Sequence, residues 1–181
     1  MRDPKSNAEV TIDWPHYEVH HGHMFKLDDV VACESATVKW LITTPDSTKY
    51  AHMVFDVVAT GEVTVLITEG ANRTTGDVLT LLNRNRVGSP ITAALVVQRG
   101  ATGGDTDGAT TIRSIRTGDT GPNLNIIGTS RGQNEYVLKP NTKYVVSATT
   151  YAAVFVSLHL DWYEHYNIGY KMDYKTQEQR A

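Results

Sequence analysis

The feature of this chain that most limits its fold is an alternation of apolar and polar residues, in short runs from about residue 8 to residue 164. Gly, Asn, Asp and Pro separate the runs, and the chain carries 23 Thr and 19 Val among its 181 residues. A period of two is typical of strands that are buried on one side, and β-branched residues favour strands. Because no stretch of ten or more residues shows a clear helical period, we predict an all-β fold, an antiparallel β-sandwich of jelly-roll-like type.

The alternation predicts eight to ten strands, of which the last has the clearest pattern. Its core face is assigned to Val154, Val156, Leu158, Leu160 and Trp162, and its solvent face to Ser157, His159, Asp161 and Tyr163. The tight turns Ala59–Gly61 and Lys139–Thr142 are predicted to join neighbouring antiparallel strands. The predicted strands are residues 23–31, 37–43, 50–58, 62–68, 77–82, 93–99, 110–117, 134–138, 142–149 and 154–164.

Length and composition predict one main domain at residues 23–165, because a chain of this size with 40% hydrophobic residues can bury a full core. Residues 1–22 contain the large apolar side chains of Trp14 and Tyr17, which are uncommon in disordered tails. We therefore predict an extended N-terminal arm that packs against a surface which the sequence does not identify. Residues 166–181 are predicted to be a polar C-terminal tail. The glycine-rich stretch 100–132 predicts two long contact loops around one short strand.

Charge and cysteine content limit the partners and the compartment. A net charge of -3 and a pI near 6.1 disfavour binding to nucleic acid or to anionic membranes. The single Cys33 cannot form an internal disulfide, and the first residues lack an apolar signal region, so we predict assembly in a reducing cytosol. No apolar run reaches the roughly 18 residues of a membrane span, which predicts a soluble chain without a membrane partner.

Two groups of residues have the composition of metal ligands. Four of the seven histidines, His16, His20, His21 and His23, lie within eight residues, but their spacing favours ordinary surface or interface histidines over a zinc site. The segment Gly103–Gly108 has the Asp-x-Asp-Gly spacing of calcium loops but lacks the closing Glu. A Gly/Asp turn that uses positive φ is the favoured interpretation there. We therefore predict no bound metal and no cofactor.

The sequence carries no pattern that predicts an enzyme. Asp161, Glu164 and His165 lie close together, but a strand turns Asp161 and Glu164 to opposite faces. The nucleophile elbow, the P-loop and the dinucleotide-binding glycine motif are all absent from the sequence. We therefore predict a protein without a catalytic site.

Arginines and aromatic residues are the candidates for partner contact. A solvated face is the usual interpretation for an arginine cluster, and docking on an acidic protein surface is the alternative. Aromatic residues could also stack on sugars, which keeps a carbohydrate-binding role open. The arginine cluster consists of Arg84, Arg86, Arg99, Arg113 and Arg116, with Arg73 and Arg131 nearby, and the aromatic candidates are Trp14, Tyr17, Tyr151 and Tyr170.

Five stretches form a recognisable set: Leu41–Met53, Glu69–Gly70, Asn83–Arg86, Glu135–Tyr144 and Trp162–His165. Together they resemble a widespread group of small tailed-bacteriophage structural proteins, which are encoded beside the major capsid protein and regarded as head decoration, or cement, proteins. The likeness covers about residues 16 to 166. The motifs are strand and turn sequences, so the resemblance assigns no active residue.

The resemblance implies a virion protein, made in the host cytoplasm, that binds the outer surface of the shell of major capsid protein and strengthens it. Such proteins commonly act as symmetric oligomers, so a dimer or trimer is expected. The competing class is a receptor- or carbohydrate-binding β-sandwich module of a phage tail fibre or baseplate. The expected contact residues are Trp14, Tyr17 and Phe25 of the N-terminal region, and Arg84, Arg86, Arg113 and Arg116.

Overall fold

The computed structural model describes residues 13–87, 91–103, 107–108, 110–117, 125–127 and 134–166, and these residues form strands almost throughout. They contain one short helix, α1, at Trp14–His20. The strands are β1 Met24–Glu34, β2 Thr37–Thr43, β3 Lys49–Ala59, β4 Val63–Glu69, β5 Thr75–Val78, β6 Leu82–Asn83, β7 Val96–Thr102, β8 Thr110–Thr117, β9 Asn125–Ile127, β10 Glu135–Leu138, β11 Lys143–Thr150 and β12 Ala153–Tyr166. The predicted all-β class is confirmed.

The strands form two six-stranded antiparallel sheets. The front sheet has the order β10-β3-β12-β1-β6, and β9 also pairs with β3. The back sheet has the order β5-β7-β2-β11-β4-β8. The long pairing of β12 with both β1 and β3 forms the centre of the front sheet. This arrangement confirms an antiparallel sandwich, and the jelly-roll topology stays a prediction.

The predicted hairpins are wrong, because the turns cross between the sheets. Strand β3 lies in the front sheet and β4 in the back sheet, and β10 and β11 are divided in the same way. Asn141 has the positive φ of 48° that favours Asn in a turn. Its N–H donates to Pro45 O at 2.9 Å, and the Thr44 hydroxyl donates to Lys139 O at 2.7 Å. These bonds tie the 139–142 turn to the β2–β3 turn, which crosses between the same sheets.

The core lies between the sheets and contains the side chains that the alternation assigns to it. Trp40 of the back sheet and Trp162 of the front sheet are fully buried, and Val156, Leu158 and Leu160 line the same face as Trp162. Burying large apolar side chains is the main stabilising term for such a sandwich. Tyr163 differs from the prediction, because it is only 6% exposed on the outer face.

Two predicted strands have different bounds for identifiable reasons. The segment 77–82 is divided between β5 in the back sheet and β6 in the front sheet, and between them the Leu79 N–H donates to Val97 O at 2.9 Å. The strand predicted at 93–99 begins at Val96 as β7. Its preceding amides, those of Ala94 and Leu95, donate to the Glu164 carboxylate instead of to a neighbouring strand.

The predicted extended arm is wrong for residues 14–20, which form helix α1. Pro15 fits the first turn of a helix, where its missing N–H is not needed. Trp14 and Tyr17 stack at 5.3 Å, and Tyr17 and His21 stack at 3.9 Å, as side chains three and four residues apart on a helix can do. The rest of the arm and the tail after Tyr166 lie outside the described residues. In the described part, no helix has the length and apolar character to cross a membrane.

Candidate contact surfaces

Helix α1 is fixed to the end of the front sheet through a buried glutamate. Glu18 is buried, and its carboxylate lies 3.0 Å from His23 Nδ1. The His23 N–H donates to Glu18 O at 2.9 Å, and His23 O accepts from the Glu164 N–H at 3.1 Å. These bonds hold the two-turn helix against β12 and determine where its aromatic residues lie.

Glu164 connects the same end of β12 to the segment that precedes β7. It is 5% exposed, and its carboxylate accepts from Ala94 N at 2.9 Å, Leu95 N at 3.3 Å and Trp162 Nε1 at 3.0 Å. A buried carboxylate is stable only when donors of this kind replace water. Sequence reasoning treated Glu164 as a weak catalytic candidate. Its register with Trp162 on the core face was the signal for a structural role.

The predicted aromatic contact residues Trp14 and Tyr17 border a cleft, which we call the helix cleft. Its volume is about 220 Å³, and His165 and Tyr166 form the opposite wall. Trp14 meets His165 edge to face at 6.2 Å, and the Lys49 ammonium lies 5.2 Å from the centre of the Tyr166 ring. Trp14 and Tyr17 are both exposed, so they are accessible to a partner.

Two of the predicted arginines lie beside this helix. Arg84 and Arg86 follow β6 at the edge of the front sheet and are exposed. Arg84 pairs with Asp161 at 3.2 Å, and the side-chain amide of Asn85 donates to His20 O at 3.0 Å. The structure therefore places the segment that carries these arginines next to the helix through Asn85, and their role in partner contact stays a prediction.

The other two predicted arginines lie on β8, at the edge of the back sheet. The Arg113 guanidinium is half-buried and donates to Phe55 O at 3.4 Å, so it bridges the two sheets. Arg116 is exposed, pairs with Glu62 at 2.8 Å and lies 5.2 Å from the Tyr151 ring centre. The hydrogen bond to Glu62 and its negative charge raise the pKa of Arg116. The arginines that are clustered in the sequence thus form two separate groups.

The prediction that Phe25 contacts a partner is wrong. It is 2% exposed and stacks on Trp162 at 5.6 Å between the two sheets. Its position on β1 shares the inward face with Leu27, which the alternation of the strand requires. Phe25 therefore belongs to the core.

An exposed apolar surface lies at the end of the sandwich near the β11–β12 turn. We call it the apolar end, and it consists of Val30, Ala32, Ala153 and Phe155 on the outer face of the front sheet. Val30 and Phe155 are each 58% exposed, and Ala32 pairs with Phe155 across β1 and β12. Sequence reasoning named none of these residues. It named Tyr151 of the same turn, whose hydroxyl lies 3.1 Å from Thr64 Oγ1 on the outer face of the back sheet. The available signal was the apolar side chain at Val30 and Phe155, where the alternation predicts polar ones.

A charged band separates the apolar end from the helix cleft on the front sheet. Lys26 and His159 both contact the Asp28 carboxylate, with His159 Nδ1 at 2.8 Å. The hydrogen bond from His159, followed by that from Lys26, lowers the pKa of Asp28. The band consists of paired charges, so it adds little net charge to the face that it crosses.

The candidate calcium loop contains a carboxylate that is paired with cations of the chain. Asp107 lies 2.5 Å from Lys39 Nζ and also pairs with Arg73. Burial alone would raise the pKa of Asp107, but the hydrogen bonds from Lys39 and Arg73 outweigh it and lower the pKa. Gly108 has φ of +113°, and a Cβ there would lie 2.4 Å from Glu69 O. Gly103 and Gly108 have the positive φ that the turn interpretation uses, and residues 104–106 between them lie outside the described residues.

The four N-terminal histidines do not converge on one point. His16 and His20 face each other with Nε2 atoms 3.0 Å apart, but His21 bonds to Tyr17 O and His23 to Glu18. Across the described ranges, no group of three or more His, Cys, Asp or Glu side chains is arranged to hold a metal ion.

Comparison with known proteins provides no relative from which a role for these surfaces can be inferred. No protein-family model, no curated protein and no solved structure matches the chain.

Proposed function

We propose that this protein is a structural component of a phage virion, which decorates and stabilises the capsid by binding the outer surface of the major capsid protein shell. The proposal combines the sequence resemblance with one structural observation, the apolar end. Its role is binding without chemical transformation. It needs no nucleic acid or membrane, and it takes place on virions assembled in the host cytoplasm.

The apolar end supports the proposal because it has the composition of a protein-binding surface. Aromatic residues are enriched at protein interfaces, and Phe155 is exposed beside Val30 and Ala32 on the outer face of the front sheet. Val30 and Phe155 are held on paired β1 and β12, so little conformational entropy is lost when a partner covers them. An exposed apolar surface on a rigid sheet is typical of an interaction site.

In this proposal the capsid is stabilised because many copies of this chain bind equivalent sites on the shell. A capsid presents many equivalent sites, and a symmetric dimer or trimer of this chain engages several of them at once. Linked sites raise the effective concentration, so modest contacts produce strong overall binding. The edge strands β6 and β8 are the means by which copies of the sandwich can join.

Cosedimentation with expanded, DNA-filled heads that lack this protein tests the proposal. We expect the wild-type chain to sediment with the heads, and Phe155→Ala to weaken binding by about 30-fold, which corresponds to the roughly 2 kcal/mol of an interface hot spot.

Val30→Ser and Val137→Ser form a matched pair for the same assay. Both valines point outward from the front sheet, at 58% and 56% exposure, but Val137 lies on β10, away from the apolar end. V30S should weaken sedimentation with heads, and V137S should leave it unchanged. Failure of the wild-type chain to bind heads, or equal effects of the two serine variants, would contradict the proposal.

The helix cleft favours a second candidate, a receptor- or carbohydrate-binding module of a tail fibre or baseplate. Trp14 is exposed and offers a ring on which a sugar can stack, whereas the Tyr17 ring is already stacked on Trp14 and His21. The cleft volume of about 220 Å³ suits one sugar ring. Binding on a glycan array that is lost in Trp14→Ala would favour this candidate. Absence of binding to any glycan on the array, together with binding to heads, would exclude the carbohydrate-binding candidate.

A further inference from the structure

We propose that His52 and His165 form a binding site for a late first-row divalent transition-metal ion on the outer face of the front sheet. His52 lies on β3 and His165 on β12, two residues apart in register, since Tyr163 pairs with His52 and Tyr50 pairs with His165. The two imidazole rings meet with Nε2 atoms 2.9 Å apart. The site is separate from the apolar end and does not depend on the proposed function.

The hydrogen bonds of the opposite ring nitrogens determine which nitrogen carries the proton. His165 Nδ1 lies 2.7 Å from Tyr166 O, and His52 Nδ1 lies 2.9 Å from Glu135 Oε1. A carbonyl oxygen and an ionised carboxylate only accept hydrogen bonds, so both Nδ1 atoms carry the hydrogen. The Tyr163 hydroxyl donates to the same Glu135 oxygen at 2.8 Å, which leaves its own oxygen as an acceptor for His52.

With hydrogen on both Nδ1 atoms, neutral His52 and neutral His165 each present a lone pair on Nε2. Two lone pairs that face each other at 2.9 Å repel, unless a cation lies between or beside them. The ring centres are 4.7 Å apart and the ring planes differ by 35°. This separation is compatible with two imidazoles that bind one ion side by side.

The distance between His52 Nε2 and His165 Nε2 indicates which coordination geometry the site favours. Metal–imidazole bonds are about 2.05 Å long, so cis ligands at a right angle lie about 2.9 Å apart, and tetrahedral ligands lie about 3.3 Å apart. The observed 2.9 Å therefore fits square-planar or octahedral Ni²⁺ or Cu²⁺ better than tetrahedral Zn²⁺. The stability order of divalent ions favours the same two metals. Water would complete the coordination, because the described residues bring no third ligand of metal-binding type to the pair.

Glu135 and Tyr163 hold the His52 imidazole in an orientation that suits metal binding. The contact from Glu135 to His52 Nδ1 is the carboxylate–histidine pairing that orients imidazole ligands in metal sites. The Tyr163 ring stacks on His52 at 4.6 Å with only 14° between the planes, which restricts rotation of the imidazole. The side chains of His52 and Glu135 are 19% and 17% exposed, so the site is sheltered but still reachable by an ion.

The His16–His20 pair provides a control within the same chain. Its Nε2 atoms are 3.0 Å apart, but both residues are exposed on the two-turn helix. A stronger site at His52–His165 is expected, because its rings are anchored by Glu135 and by Tyr166 O.

Isothermal titration of the tag-free full-length chain with NiCl₂ tests the proposal, with His165→Gln, Glu135→Gln and His20→Gln as variants. We expect one tightly bound Ni²⁺ per chain, binding at least tenfold weaker in H165Q, and binding about 10–100-fold weaker in E135Q, where the orienting carboxylate is lost. H20Q should keep the affinity of the tight site within twofold. Thermal unfolding of each metal-free variant establishes that it is folded.

Copper provides a readout that a structural role of the two histidines would not change. The electron paramagnetic resonance spectrum of the Cu²⁺-loaded chain should show nitrogen couplings from two imidazoles, reduced to one in H165Q. Absence of Ni²⁺ and Cu²⁺ binding by the wild-type chain would overturn the proposal and would leave a shared proton as the cation of the pair. Tight binding that survives H165Q, or is lost in H20Q, would overturn it as well.

Discussion

Replacement of Glu164 should be among the most destabilising single changes in this protein. In Glu164→Ala, the Leu95 N–H and the Trp162 indole N–H lose their acceptor in a buried site, and the Ala94 N–H loses one where water can reach it. A buried donor without an acceptor costs about 1–3 kcal/mol, so the loss should total about 3–5 kcal/mol. For a chain of this size, that loss lowers the melting temperature by about 6–20 °C.

Urea unfolding followed by tryptophan fluorescence measures the effect of Glu164→Ala on the free energy of unfolding. Glu164→Gln keeps one oxygen acceptor but turns an amide NH₂ toward another donor, so an intermediate loss of about 1–2 kcal/mol is expected. Glu62→Gln is the matched control, since Glu62 pairs with the exposed Arg116 and its neutralisation should cost less than about 1 kcal/mol. Equal losses in E164Q and E62Q, or a loss below about 1 kcal/mol in E164A, would refute the role of Glu164.

Three further predictions concern groups whose pKa is shifted. Burial raises the pKa of Tyr144 to about 12, above its ordinary value of 10.0, so stability should fall as the pH rises from 10 to 12, and fall less in Tyr144→Phe; equal slopes in urea unfolding would contradict this. Burial also raises the pKa of the Cys33 thiol, so alkylation of the folded chain at pH 8 should be at least tenfold slower than in urea, and equal rates would show an accessible thiol. The lowered pKa of Asp107 contributes stability above its unfolded value of about 3.9 that is lost as the pH falls through the folded pKa. Asp107→Asn should therefore flatten the acid limb of the stability curve, and an unchanged limb would exclude the contribution.

The alternation of the sequence was sufficient to predict the fold class, because one side of a sandwich strand contacts the apolar core and the other side contacts water. Val156, Leu158, Leu160 and Trp162 all point into the core as predicted. Sheet pairing could not be predicted in the same way, because a turn such as Lys139–Thr142 has the same local sequence whether it joins paired strands or crosses between sheets. Its crossing depends on bonds to Thr44 and Pro45, which are distant in the sequence.

Residues at the ends of strands were the hardest to assign. Alternation alone predicted Tyr163 to be solvent-exposed, but the ring is covered by His52 and hydrogen-bonds to Glu135 from a strand far away in the sequence. Phe25 follows the core alternation of β1, and it was misassigned because sequence proximity to Trp14 and Tyr17 was given more weight than strand register. The four arginines expected at partner contacts lie in two separate places, since β6 and β8 are in different sheets.

Outward apolar positions gave the clearest functional signal, and it was present in the sequence. Val30 and Phe155 occupy positions where solvent favours polar residues, and folding brings them to the same end of the molecule. An exposed apolar surface on a rigid sheet is typical of an interaction site, which is why the proposed function places the capsid contact there.

Cryo-electron microscopy of phage heads, imaged with and without this chain, would show where the protein acts. We expect added density on the outer surface of the shell in the decorated heads. The apolar end, with Val30 and Phe155, should face the capsid protein in that density. Identical shells in the two samples, or density for this chain only at the tail, would contradict a role in capsid decoration.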